Sequence, residues 1–230
     1  MNENKCHLLF VQSPIGSVPD IELPIENRSI LQGKIQAYRK SKIAKPDIKS
    51  LRLEGASYQI LGILGRGSSV VYLGRASNGN LVQIKKIVSD TLWANSLFYE
   101  MTVTRFYLEN GILVPKILDF EFKDYYEDGQ YVGGVAFLVK EYFEGITGDE
   151  LAAIQNFSAQ ERTFLQNKFQ ASITKLMSIH KGFAGWLKEN QINLHENSFP
   201  ELDRLIQQGD IKSANLMYAS LLNDVVIFDP

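Results

Sequence analysis

An aspartate, a lysine and an asparagine fall at set intervals in Gly209-Asp210-Ile211-Lys212-Ser213-Ala214-Asn215, and a second aspartate, Asp229, follows the apolar run Val225-Val226-Ile227-Phe228. One carboxylate can orient an attacking hydroxyl. An amide oxygen together with a second carboxylate offers the hard oxygen donors that magnesium prefers. Lys212 would neutralise charge developing on a transferred phosphoryl group. The expected chemistry is therefore phosphoryl transfer from a nucleotide, with Asp210 at the acceptor and Asn215 and Asp229 on the metal. The D-x-x-x-x-N pattern alone is common, so its weight comes from what lies upstream in the right order.

Upstream, Gly65 and Gly67 sit between apolar flanks in Leu64-Gly65-Arg66-Gly67-Ser68-Ser69-Val70-Val71-Tyr72. Two glycines there suit a hairpin whose backbone approaches a phosphate, since no Cβ obstructs it. After the turn residues Asn78-Gly79-Asn80 comes a strand, Leu81-Val82-Gln83-Ile84-Lys85-Lys86-Ile87. Strand alternation puts Val82 and Ile84 on one face and Gln83 and Lys85 on the other, which frees Lys85 to reach a ligand. Lys86 is the ordinary exposed competitor. Glu100, in a helix-compatible stretch, is the expected carboxylate partner of Lys85, with Glu109 as the alternative.

These residues resemble the protein-kinase-like superfamily over about Tyr58 to Pro230. Val82-Gln83-Ile84-Lys85 is similar to the lysine strand, and Phe137-Leu138-Val139-Lys140-Glu141-Tyr142-Phe143-Glu144-Gly145 to the strand and hinge behind adenine. The Gly209-Asp210 pair resembles the RIO-type and aminoglycoside-phosphotransferase-like branches, while Lys212 resembles the serine/threonine kinases. The resemblance implies ATP and Mg²⁺ as cofactors. It makes Lys85, Asp210 and Lys212 catalytic, and puts Gly65, Gly67, Lys85, Glu100, Glu141 and Phe143 around the nucleotide. It also implies an α+β, bilobal fold: an antiparallel-sheet N-lobe with one helix, then a mostly helical, truncated or minimal C-lobe. The corresponding divisions are an arm and basic helix over 1–56, the N-lobe and hinge over 57–145, and the C-lobe over 146–230.

Four departures from the family pattern stand out. Val70 lies near the place of the third glycine, Gln208 stands where His is frequent, and Asp229 is followed by Pro230 instead of Phe-Gly. Lys140 occupies a position where an apolar residue is expected. The leading expectation is an atypical kinase that transfers a phosphoryl group to a protein or small-molecule hydroxyl. A pseudokinase that binds nucleotide or acts as a scaffold is the alternative, and a kinase fold moving a nucleotidyl group is a third.

Composition narrows the partners. The 230 residues carry 24 Lys and Arg against 26 Asp and Glu, so a net charge of −2 gives no general attraction to nucleic acid or anionic membrane. The single cysteine, Cys6, rules out an intrachain disulfide and fits a reducing compartment. No apolar run approaches the ~18 residues that a membrane-spanning helix needs, and Cys6–Val11 is too short for a signal-peptide core. A cytoplasmic protein is expected, with export by a route lacking a cleaved signal as the alternative.

The elements that must position the site follow from periodicity. Residues 1–25 hold Pro14, Pro19 and Pro24 and read as an irregular arm. Glu26 to Lys45 reads as a helix, with Ile30, Leu31, Ile35 and Tyr38 on an apolar stripe. Its Arg28, Lys34, Arg39, Lys40, Lys42 and Lys45 make either a solvated face or a docking patch for an acidic or phosphorylated partner. Strands dominate from Tyr58 to Phe122 around a helix over 92–110. Val114–Phe120 reads as a strand, Asp124–Gly129 as an acidic turn, and Val135–Val139 as a buried strand. Ser158-Ala159-Gln160-Glu161 is a capping box. Phe164, Leu165, Phe169, Ile173, Leu176 and Met177 repeat at helical spacing, as core residues do.

Overall fold

A long first helix is followed from Ser50 onward by alternating apolar residues that build strands, and the outcome is an α+β protein. The computed structural model describes residues 22–67, 69–89, 94–192 and 215–228. Among them the elements run α1 (Ile25–Lys42), β1 (Ser50–Arg52), β2 (Ser57–Arg66), β3 (Ser69–Ala76), β4 (Leu81–Ser89) and α2 (Ala94–Glu109). There follow β5 (Ile117–Glu127), β6 (Gln130–Glu141), β7 (Gly145–Thr147), α3 (Glu150–Ala153), α4 (Ala159–His180), α5 (Phe183–Glu189), β8 (Leu216–Ala219) and β9 (Asp224–Ile227).

Strands β1 to β6 form one antiparallel sheet in the order β1-β2-β3-β4-β6-β5. β4 and β6 are neighbours although α2 and β5 lie between them in sequence. Their pairing carries the sheet past the helix, and β5 is left at the edge. Val82 and Ile84 are buried with Tyr58, Ile60, Tyr72 and Val139 on one face of this sheet. A second, three-stranded antiparallel sheet follows the order β7-β8-β9. Gly145 is required there, because a Cβ at this position would lie 2.2 Å from the Tyr218 carbonyl oxygen.

The largest core gathers Leu31 and Ile35 of α1, Phe106 of α2, Phe164, Leu165, Phe169 and Leu176 of α4, and Leu216 and Val225 of the second sheet. Each such side chain, fully buried, contributes roughly 1.5–3 kcal/mol. The capping box at the start of α4 is formed: the Glu161 N–H donates to Ser158 Oγ at 3.2 Å, and the Ser158 N–H to Glu161 Oε2 at 2.6 Å.

Several boundaries differ from the sequence expectation, each for a physical reason. Helix α1 stops at Lys42, and Ile43 is already extended, so Ala44 can bridge to Ile63 of β2. Ile30 is 56% exposed, and the buried stripe narrows to Leu31 and Ile35. Strand β5 begins at Ile117, not Val114, since Pro115 has no N–H for a ladder. Leu113 instead accepts from the Ile227 N–H, which ties this segment to the second sheet. The expected acidic turn shrinks to Asp128-Gly129, both with positive φ (49° and 78°), as a two-residue hairpin requires. Met177, expected in the core, is 54% exposed at the end of α4.

Candidate active site

The register between β4 and β6 pairs Gln83 with Lys140 and Lys85 with Leu138. Residues opposite one another in a ladder share a face, so Lys85 and Lys140 are diagonal neighbours on the same side of the sheet. Both meet Glu100 of α2. Lys85 Nζ lies 3.3 Å from Glu100 Oε2, while Lys140 Nζ donates to Oε1. Lys140 also donates to the Phe228 carbonyl at 3.4 Å, just past β9. Its side chain is 3% exposed and that of Lys85 is 21% exposed. Charges this far from water persist only when paired and hydrogen-bonded. The two lysines and their shared carboxylate thus join β4, β6, α2 and the end of β9 at one point.

Both bland competitors lie elsewhere. Glu109 takes Arg105 at 2.8 Å and the Trp186 indole N–H at 2.7 Å, and these bonds hold its carboxyl below the usual range. Lys86 lies on the opposite face of β4, where it lines a groove with Val88 and Phe137. Lys140 is the residue that sequence reasoning left without a role. Its signal was there to read: a cation in the otherwise apolar run Ala136-Phe137-Leu138-Val139.

Gly65 and Gly67 stand at the connection from β2 to β3, where the Gly67 N–H donates to the Ser69 carbonyl at 2.9 Å. Neither glycine has positive φ, and a Cβ at either would meet nothing within 4 Å. Packing among the described residues therefore does not demand glycine at these positions. What glycine leaves there is uncovered backbone. Val70, near the place of the third glycine, pairs with Arg66 and Lys86 inside the sheet and packs against its core.

Glu141 and Phe143 lie where the chain passes from β6 to β7. The Glu141 carboxylate accepts the Lys116 N–H at 3.0 Å, and the Glu141 N–H donates to the Lys116 carbonyl, also at 3.0 Å. Its side chain thus fixes the approach to β5. Phe143 is half-buried. Burial, with Glu144 close by, pushes the neighbouring Tyr142 phenol up. Helix α1 braces the same passage: Arg39 donates to the Gly145 carbonyl and forks onto Glu150, with one arm at 3.0 Å. Of the basic residues on and after α1, Arg39 is engaged here, Lys34 pairs with Glu161, and Arg28 reaches Glu22 and the Leu23 carbonyl. Lys40, Lys42 and Lys45 remain on the surface.

Asn215 opens β8. The ladder sets Leu216 opposite Ile227, and the Phe228 N–H donates to the Asn215 carbonyl at 3.1 Å. The two ends of this hairpin are therefore side by side, with Lys140 on the Phe228 carbonyl. Asp229, the next residue after Phe228, lies outside the described residues, as do Asp210 and Lys212. Among the described residues no group of three His, Cys, Asp or Glu side chains could hold a metal ion. The expected ligand pair is an amide with a carboxylate, and Asn215 is its described half. Neither a protein-family model nor a curated protein matches this sequence.

Proposed function

We propose that the chain is an ATP- and Mg²⁺-dependent phosphotransferase with a bilobal, kinase-like arrangement, transferring the terminal phosphoryl group to a hydroxyl. The observation that carries this reading is Glu100 on Lys85, from a helix inserted between two neighbouring strands, beside a hairpin that begins at Asn215. In this reading Lys85 holds the α- and β-phosphates and Glu100 aims it. The open backbone at Gly65 and Gly67 lies over the phosphates, and the passage around Glu141 and Phe143 borders the adenine. Asn215 and Asp229 supply oxygen donors of the kind magnesium favours. Asp210 orients the acceptor hydroxyl, and Lys212 offsets charge developing on the transferred group. Positioning and electrostatics of this kind supply nearly all of the catalysis in phosphoryl transfer.

One observation favours a second reading, a pseudokinase that binds nucleotide without turnover. Val70 is a strand residue packed on the core, so the glycine-rich cover is shorter than the family pattern. Incubation with γ-labelled ATP, Mg²⁺ and mixed protein and small hydroxyl acceptors separates the two. Phosphotransfer predicts incorporated label that Asp210→Ala abolishes while MgATP affinity stays within about threefold, the signature of a group acting in the transition state. Binding of MgATP with no incorporated label in any acceptor would favour the pseudokinase.

A further inference from the structure

We propose that Lys140 is a positioning residue: it secures Glu100 so that Lys85 can turn to a nucleotide phosphate without stranding a buried carboxylate. This rests on the phosphotransferase reading above and adds a residue to it. Glu100 is 6% exposed, and a buried carboxylate deprived of its partner is strongly destabilising. With Lys85 as sole partner, every step of Lys85 toward a phosphate would weaken the bond that keeps Glu100 tolerable.

The geometry removes that conflict. The two lysines take different oxygens of Glu100, Lys85 at Oε2 and Lys140 at Oε1, and a carboxylate has about four lone-pair sites to share. Lys140 follows the buried pair Leu138-Val139 of β6 and is anchored a second time by the Phe228 carbonyl. Its side chain is only 3% exposed. Lys85, by contrast, has a fifth of its side chain exposed. The two cations therefore divide the work: Lys140 holds α2 and the end of β9 against the sheet in every state, and Lys85 serves the ligand.

The test combines binding and unfolding on the full chain. MgATP is titrated calorimetrically into the wild type, Lys140→Met and Lys140→Met/Glu100→Gln. Lys140→Met should lose about tenfold or more in affinity, because Lys85 must now choose between Glu100 and the phosphate. Adding Glu100→Gln should recover only part of that loss, since the neutral amide no longer competes for Lys85 but no longer aims it with full charge. A purely structural Lys140 would not show that recovery. Urea unfolding of the nucleotide-free protein runs in parallel. Lys85→Met and Lys140→Met each leave Glu100 one lysine, so their double variant should lose far more than the sum of the singles.

Wild-type affinity in Lys140→Met, or additive unfolding losses, would overturn the proposal. No MgATP binding by the wild type would overturn the nucleotide reading and the release of Lys85 with it. The unfolding cycle would then still decide whether Lys140 secures Glu100.

Discussion

Glu100 and Glu161 are equally buried, at 6% and 5% exposure, and both are paired with lysine, yet only Glu161 also serves its own helix end. Glu161 belongs to its own helix end. It caps α4 through the Ser158 N–H, and Lys34 Nζ sits 2.9 and 2.8 Å from its two oxygens. Burial alone would raise its carboxyl, but the bonds from Lys34 and Ser158 outweigh that and hold it low. Glu100 has no such local support among the described residues. Its oxygens go to lysines from two different strands, and one of those lysines continues to the end of a hairpin in the other sheet. A carboxylate held by its own cap and by one lysine of a neighbouring helix fixes a helix end. A carboxylate shared between strands fixes the relation of several elements, and it leaves one partner, Lys85, partly exposed.

The contrast can be tested by substitution. The largest effect belongs to the shared carboxylate: Lys85→Ala should reduce MgATP affinity by about 100-fold or more, through loss of a charge-assisted phosphate contact. Lys86→Ala, on the opposite face, should leave it within about threefold. Isothermal titration of the two variants decides this, and the reverse ranking would shift the site by one residue.

At the capping carboxylate the effect should fall on stability. Glu161→Ala removes a buried ion pair and half of the capping box together, so urea unfolding should show a loss of about 2–4 kcal/mol with MgATP affinity unchanged. Ser158→Ala, which removes only the cap, should cost about 1 kcal/mol. A comparable loss of MgATP affinity in Glu161→Ala would erase the distinction between the two glutamates.

A smaller effect should appear with pH at the base of α4. His180 shares a hydrogen bond with the Tyr107 hydroxyl at 3.1 Å, and burial pulls its pKa below the usual value. The folded chain then resists a proton that the unfolded chain accepts near pH 6.5. Stability should be flat above about pH 6.5 and should fall as the pH drops below it, until the folded imidazole also titrates. His180→Gln should flatten that slope in unfolding curves taken between about pH 7 and 5.5. An unchanged slope would assign it to other groups.

The two glutamates also mark what the sequence discloses. The Ser158–Glu161 spacing is a local rule, so the cap is legible four residues at a time. The alternation of β4 and the choice of Glu100 over Glu109 were likewise within reach, because period and spacing constrain one element at a time. Lys140 was visible as an anomaly, yet its meaning depends on register. Only the pairing of Gln83 with Lys140 sets it diagonally across from Lys85. Tertiary demands also overrode local signals in smaller ways. Arg39 and Lys34 looked like a solvated or partner-binding face, but they bind Glu150 and Glu161 within the chain. Met177 keeps helical spacing but is 54% exposed, while the core runs on through its neighbour Leu176 to Ile179 and Phe183. Hairpin geometry drew β5 out to Glu127, because an Asp-Gly pair turns more tightly than an acidic run suggests.

The central claim is that Lys85, supported by Glu100, faces a nucleotide phosphate with magnesium nearby. Thermal unfolding with ATP, with Mg²⁺ or with EDTA, on wild type and Lys85→Ala, tests it most directly. A ligand at about 100 times its Kd adds roughly 2.7 kcal/mol of stability. The account predicts a clear upward shift in wild-type Tm with MgATP, a smaller one with ATP and EDTA, and none with MgATP in Lys85→Ala. An unshifted wild type, or equal shifts in wild type and Lys85→Ala, would contradict it.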